Sequence, residues 1–500
     1  MNKCKQKLEL TWIGKDDEYK DIEPRILVEV PEKSYGDKNT ENVLIHGDNL
    51  LALKALEQDY TGKIKCIYID PPFNTGSAFE HYDDNVEHSK WLSLMKSRLE
   101  ILHKLLSEDG ALFVHIDYNE ESYLRVLLDE IFGRENYRNN IIVSRVRKNI
   151  RERERVKSLN FSQDTVIFYA KSEKTLILPP LKPIKKEERW HSFEANGIRN
   201  GMDYDLFGFK PRANNHWRWS YERAQIAIKD GTLRPNPNTG KPEYLIPASD
   251  YELMDTNWLD LQASAFNWKF PNGEKNEKLL QRIIDMTTIE GDFVLDSFLG
   301  SGTTAAVAHK MGRKWIGIEL GDHCYTHCEP RLHSVIDGTD KTGITKIVNW
   351  QGGGGYKFYE LAPSLLKKDE FDNWVIEPKY DAEMLAEAMA KHEGYKFSPD
   401  ENNVYKQGFS TEKDFIFTTT QFLSNELLNQ IYNKLEEGES LLICATHFEE
   451  GVGSAYSNIT VKKIPQMLLN RCEFGRAEYN LNIIEEAQPE DIEEDFEEEG

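Results

Sequence analysis

Long apolar runs are missing: nowhere in the 500 residues do eighteen consecutive apolar residues occur, so no segment reads as a membrane-spanning helix. An excess of positive charge is missing too. Lys and Arg total 62 against 85 Asp and Glu, a net charge of −23, which argues against a protein that coats nucleic acid non-specifically. Cysteine is scarce: Cys4, Cys66, Cys324, Cys328, Cys444 and Cys472 show no disulfide-framework spacing. The start, Met-Asn-Lys-Cys-Lys-Gln-Lys, leads into no apolar segment. These absences describe a reduced, soluble, cytoplasmic protein with no membrane. Internal repeats are also absent, and the length suffices for two or three domains.

The charge that is present is uneven. Glu485 to Glu499 holds ten acids and no base, the signature of a disordered acidic tail. Arg145 to Lys157 does the opposite, with seven bases against Glu152 and Glu154. Arg145, Arg147, Lys148 and Arg151 fit a loop that meets phosphates, the bland alternative being an Arg/Glu-laced solvent helix.

The chain is organised around Ile67-Tyr68-Ile69-Asp70-Pro71-Pro72-Phe73-Asn74-Thr75-Gly76. The run Ile64 to Ile69 reads as a buried strand, and the prolines force the chain out of the sheet after Asp70. An acid at the C-terminal end of such a strand sits where open α/β sheets bind ligands. Asp70, Pro71, Pro72 and Phe73 then make a rigid corner, a pincer for a flat group bearing an amine. Taken alone, Asp70 is as readily a cap.

A second anchor is Asp296-Ser297-Phe298-Leu299-Gly300-Ser301-Gly302-Thr303-Thr304, between the strand Phe293 to Leu295 and a helix. Glycines at such a turn let the backbone approach a ligand, and threonines suit the helix start. The turn is not Gly-x-Gly-x-x-Gly and no Gly-Lys-Thr follows, so a pyrophosphate grip is poorly supported. Glu319 ends the next strand, where an acid hydrogen-bonds ribose hydroxyls. A nucleoside site without a diphosphate grip, beside a pincer for an amine, points to S-adenosylmethionine and methyl transfer to an exocyclic amine.

Asp-Pro-Pro-Phe at 70–73, Asp-Ser-Phe-Leu-Gly-Ser-Gly-Thr-Thr at 296–304 and Gly-Ile-Glu at 317–319 resemble the amino-methyltransferases of DNA, and the motif order looks like the beta class. The flanks His46-Gly47-Asp48-Asn49-Leu50-Leu51-Ala52-Leu53, Glu274-Lys275-Asn276-Glu277-Lys278-Leu279 and Gln351-Gly352-Gly353-Gly354 resemble modification subunits of type III restriction–modification systems. The resemblance covers about 41–360. It implies a doubly wound, mostly parallel α/β sheet of the S-adenosylmethionine-dependent methyltransferase type, with circularly permuted motif order. It also implies adenine-N6 methylation of double-stranded DNA with base flipping, S-adenosylhomocysteine as product, a homodimer and a restriction (helicase/nuclease) partner. Asp70 and the carbonyl near Pro71 would each accept one amine N–H, and Phe73 would stack on the base. Asp296, Phe298, Gly300, Gly302, Thr303, Glu319 and Lys275 would line the cofactor, with Asp48 a second-tier candidate. Asn276 stands where the related motif usually has Pro, which predicts a looser hold on Lys275 to Lys278.

The expected division is an N-terminal extension (1–40), a substrate half (41–173), an inserted target-recognition module (174–269), a cofactor half (270–360), a C-terminal α+β domain (361–482) and the acidic tail (483–500). The module interleaves tryptophans with arginines, among them Arg212 and Arg218 as DNA contacts, although tryptophans are as often core. His323, Cys324, His327 and Cys328 read as helix packing rather than a metal site. Two rivals remain: an enzyme acting on the N4 of cytosine, and a non-enzymatic DNA-binding protein.

Overall fold

The apolar runs form strands, and the strands lie side by side. The computed structural model describes residues 9–15, 22–72, 84–145, 161–265, 267–268, 270, 274–454, 456–469, 472 and 474. Its main sheet has eleven strands. In spatial order these are Leu27–Glu29, Gly355–Leu361, Val43–His46, Lys314–Glu319, Phe293–Asp296, Ile64–Ile69, Leu106–Ile116, Gln163–Ala170, Tyr137–Ser144 and Asn257–Gln262, with Tyr35–Gly36 paired to Gly355–Leu361. Every pair from Gly355–Leu361 to Leu106–Ile116 is parallel. Gln163–Ala170 is antiparallel to both neighbours, and Leu27–Glu29 closes the other edge antiparallel. The fold is a mixed α/β Rossmann-like core.

Central parallel strands are covered on both faces, which is why they read as unbroken apolar runs. Ile64, Ile67 and Ile69 share one core with the helices Asn49–Tyr60, Asp84–Leu105 and Glu121–Phe132. Cys66, on the opposite face by alternation, meets Thr287 at the end of the helix Glu277–Thr287.

Strand order decides where the site lies. From Ile64–Ile69 the chain moves one way, to Leu106–Ile116; from Phe293–Asp296 it moves the other way, to Lys314–Glu319. Ile64–Ile69 and Phe293–Asp296 are themselves neighbours, with Leu295 opposite Ile67. Their C-terminal ends therefore flank a topological switch point, where a crevice opens.

The compact inserted unit is Pro179–Asp255, narrower than the expected 174–269. Trp258 belongs to a strand of the main sheet and is buried there, a distinction that aromatic composition does not encode. The unit packs around Phe193, Leu206, Trp217, Ala224, Ala227 and Leu233.

The segment around Glu23 and the region after Leu361 pack together in the main unit. Glu23 accepts hydrogen bonds from Leu365 N (2.7 Å) and Ser364 Oγ (2.8 Å), and Ile26 lies in one core with Leu365, Leu385 and Met389. The C-terminal region carries the sheet Lys396–Phe397, Gly408–Thr411, Asp414–Thr419, Ser440–Ala445 and Ile459–Lys463, its last three strands parallel. Gln58 Nε2 reaches Tyr395 O at 2.7 Å, so this region joins the main unit. After Glu319 a π-helical turn, Cys324–Cys328, runs directly into the helix Glu329–Ile336, so His323 to Cys328 lie on a helical segment as expected. The acidic tail lies outside the described residues. Among the described residues, no helix is long and apolar enough to cross a membrane.

Candidate active site

Asp70 leaves its strand into the crevice with its carboxylate half in use. Oδ2 lies 2.8 Å from Lys275 Nζ, whereas Oδ1 is buried and accepts no hydrogen bond. The prolines hold the exit, and the buried Trp91 indole donates to Pro72 O at 2.9 Å. Phe73 lies outside the described residues.

Lys275 is held on both sides. Ser264 bridges to it antiparallel, Ala265 N donates to Glu274 O (2.7 Å) and Asn276 N to Ala263 O (3.0 Å). Asn276 caps the helix Glu277–Thr287, its Oδ1 accepting from Lys278 N at 3.0 Å. The expected looseness is not found, because a side-chain cap replaces the rigidity of a proline at that position.

Across the crevice, Asp296 is 2 % exposed, its Oδ1 accepting from Phe298 N (2.9 Å) and Oδ2 from Thr304 Oγ1 (2.5 Å). Burial, with the nearby charges of Asp70 and Glu319, outweighs those hydrogen bonds and pushes the carboxyl up to about 7. Gly300 and Gly302 adopt left-handed φ of 57° and 79°. A Cβ on Gly302 would meet Cys328 Cα at 3.4 Å, and Cys328 Sγ donates to Gly300 O at 3.1 Å. The π-turn thus packs against the glycine turn, and His323 with Phe270 packs beside it. Its Cys324 and Cys328 are buried, and His327 bonds to Thr326 Oγ1.

Glu319 is engaged with the turn itself. Oε2 accepts from Gly300 N (2.6 Å), and Oε1 accepts from Gly321 N (3.0 Å) and meets His323 Nε2 (2.8 Å). Thr303 is turned inward, its hydroxyl accepting from Arg331 at 2.9 Å. Arg331 in turn joins Glu277 (2.7 Å), and Lys310 joins Glu277 (2.8 Å) and Asp340 (2.5 Å), a buried ionic cluster under the turn. Asp48 is engaged as well. Its Oδ1 caps Asn49–Tyr60 through Leu50 N (2.9 Å) and Leu51 N (3.1 Å), and Oδ2 lies 3.5 Å from buried Arg98. An acid directly before a helix has those amides as its nearest donors, and the adjacent Asn49 Nδ2 donates to Ser297 O at 2.7 Å.

The basic residues divide. Arg147, Lys148 and Arg151 lie outside the described residues. Arg145 pairs with Asp164 at 3.6 Å and stays partly exposed. Within the inserted unit Arg212 pairs with Glu194 (3.1 Å), and Arg218 lies 5.5 Å from the Tyr244 ring centre.

Sequence reading missed the direct Lys275–Asp70 contact, Phe270 and His323 beside the turn, and the buried chain behind Asp70. In that chain Tyr68 OH bonds to His115 Nδ1 (2.9 Å), and His115 Nε2 lies 3.4 Å from Asp164 Oδ2. Burial pushes the Tyr68 phenol well up. Alternation along Ile64–Ile69 was the one available signal, since Tyr68 and Asp70 share a face. Three carboxylates, Asp70, Asp296 and Glu319, surround the crevice, so it repels phosphate and favours amines, hydroxyls and cations.

The chain is similar to the probable type III restriction–modification enzyme HindVI Mod subunit of Haemophilus influenzae, 35% identical over 405 residues, covering 65% of this chain and 54% of that one. It thus spans about half that relative's length. It is 30% identical over 327 residues to the type II methyltransferase M.KpnI of Klebsiella pneumoniae, covering 54% of this chain and 77% of that one. Among solved structures, the cytosine-N4-specific PvuII DNA methyltransferase aligns over 62% of this chain and 92% of its own at 19% identity, but its TM-score of 0.33 carries no argument. The N6/N4 DNA methylase family profile matches residues 64–329, from the start of the Asp70 strand through the glycine turn and Glu319, and the chain belongs to that family.

Proposed function

We propose that this chain transfers a methyl group from S-adenosylmethionine to the N6 amine of adenine in a specific double-stranded DNA sequence, as the modification subunit of a type III restriction–modification system. The observation that carries the reading is the open Oδ1 of Asp70, facing a crevice whose other wall is the Asp296–Gly302 turn. The fold supports the permuted order of motifs, with the substrate strand preceding the cofactor strand in the chain.

The residues fit the cofactor. Ser297 Oγ is buried without a partner, the glycine turn leaves room for a ligand, and the surrounding carboxylates suit hydroxyls and an amino group. Asp296 would face the amino-acid end and Glu319 the ribose, once it exchanges its bonds to the Gly300 and Gly321 amides. Phe298, Gly300 and Gly302 would line the site. Bound there, S-adenosylmethionine supplies an electrophilic methyl group and leaves as S-adenosylhomocysteine.

The chain's own part is to orient the nucleophile. The adenine amine is weakly nucleophilic because its lone pair is delocalised into the ring. Asp70 Oδ1 and the Pro71 carbonyl each accept one N–H, which draws the nitrogen toward tetrahedral geometry and aims its lone pair. As the N–C bond forms and the C–S bond breaks, the nitrogen becomes cationic and its proton leaves to Asp70 or water. Phe73 stacks on the base. An amine inside a duplex does not reach a strand-end crevice, so the base is flipped out. Arg145, Arg147, Lys148, Arg151, Arg212 and Arg218 supply the grip on DNA.

The type III reading is supported by the resemblance of the flanking motifs and by the HindVI Mod similarity. It implies a homodimer and a restriction partner. Base-resolved methylation of DNA from a methylation-deficient host expressing the chain tests it. N6-methyladenine on one strand of a short asymmetric sequence is expected. N4-methylcytosine would instead establish the other amine, and an unmodified genome together with no S-adenosylmethionine binding would refute the reading.

A further inference from the structure

We propose that the stacked rings of Tyr118 and Phe161 form a platform at the rim of the crevice on which a base next to the extruded one stacks in duplex DNA. The inference rests on the methyltransferase reading above and adds to it a surface that holds the DNA open.

Register puts the rings at the correct end of the sheet. Ile69 pairs with Val114, and Ile116 pairs with Thr165. Tyr118 therefore follows its strand out at the same end as Asp70, and Phe161 enters the adjacent antiparallel strand at that end. The two rings lie 3.4 Å apart at 6°, parallel and in full stacking contact. They are nevertheless exposed, 45% for Tyr118 and 52% for Phe161. Core aromatics bury both faces, whereas this pair turns a flat apolar face to solvent.

The neighbouring charges select the occupant. Nearby acids are turned inward or engaged: Asp117 accepts from Asn119 N (3.0 Å), Asp164 meets His115 (3.4 Å), and buried Glu120 meets His88 (2.5 Å). Arg145 faces partly outward, and its backbone N–H bonds Ser162 O at 2.9 Å, next to Phe161. In sequence, the 146–160 connection between them carries six bases and two acids. A flat π surface with Arg145 beside it, in a stretch of chain rich in bases, matches stacked bases between phosphates, since every base offers a π face and every phosphate a negative charge. An acidic peptide would match the charge and leave the stacked face uncovered.

The test uses the full chain and a duplex carrying the sequence found by the methylation mapping above, its thymines replaced by 5-iodouracil, which on irradiation cross-links to aromatic rings stacked on it. Peptide mass spectrometry then locates the attachment, and S-adenosylhomocysteine binding by the same preparation reports an intact site. Cross-links at Tyr118 or Phe161 are expected. They are expected to persist in Tyr118→Phe and to vanish in the Tyr118→Ser/Phe161→Ser double variant. That variant should bind duplex about 10-fold more weakly while still binding S-adenosylhomocysteine. Retained DNA with cross-links only elsewhere, or with none, overturns the platform and leaves the methyltransferase reading standing. Failure of the wild-type chain to bind both DNA and S-adenosylhomocysteine overturns that reading, and the platform with it.

Discussion

Lys275 Nζ anchors Asp70 through Oδ2 at 2.8 Å and leaves Oδ1 of the same carboxylate buried and open. One oxygen fixes the orientation of the group, and the other is available to an incoming N–H.

Asp70→Ala is expected to abolish methyl transfer while S-adenosylhomocysteine and DNA still bind. Lys275→Met removes the anchor, so the single-turnover rate should fall by about 10- to 100-fold. Lys275→Arg should recover part of that loss. Wild-type transfer by Asp70→Ala would refute the assignment.

Asp296 makes stability pH-dependent with a definite sign. Its carboxyl rises from 3.8 to about 7 in the folded chain, so its stabilisation is full below 3.8 and is lost as pH rises through about 7. Asp296→Asn carries no charge and lacks this slope. Relative to wild type, it should gain about 2 kcal/mol in unfolding free energy between pH 5 and pH 8, measured by urea denaturation without ligand.

The two glycines of the turn should respond differently to alanine. At Gly302, with φ 79°, a Cβ would touch Cys328 Cα at 3.4 Å, the near edge of van der Waals contact, whereas at Gly300, with φ 57°, the nearest contact is Phe270 at 3.8 Å. Gly302→Ala should lose about 2 kcal/mol of stability, and Gly300→Ala about 1 kcal/mol from backbone strain alone. Both should weaken S-adenosylhomocysteine binding by calorimetry, because each disfavours the left-handed backbone that shapes the turn.

Glu277 joins Arg331 and Lys310, all three side chains 1% exposed or less. Glu277→Gln leaves two buried cations with less countercharge and should cost about 3–5 kcal/mol, read as a lower thermal midpoint. The glycine turn rests on this cluster through Thr303, so cofactor affinity should fall as well.

Much of the core was legible in the residues. The runs ending in Asp70, Asp296 and Glu319 were identified as strands, and the glycine turn as the start of a helix. These features depend on neighbours in the chain: burial on both faces leaves an apolar run, proline ends a strand, and a left-handed turn calls for glycine. Asp48 was less legible because one residue type serves both as a helix cap and as a ligand contact.

What only the tertiary structure decided involves partners distant in sequence. Strand order made Ile64–Ile69 and Phe293–Asp296 neighbours and so opened the crevice between them. Packing brought Lys275 onto Asp70, Glu319 onto the Gly300 amide, Arg98 onto Asp48 and the Glu277 cluster under the turn. The sequence by itself determined which groups stand at the strand ends, because local periodicity and turn chemistry are short-range. Which of their oxygens are used and which stay open is set by where long side chains from other elements end, and that follows only from the packed fold.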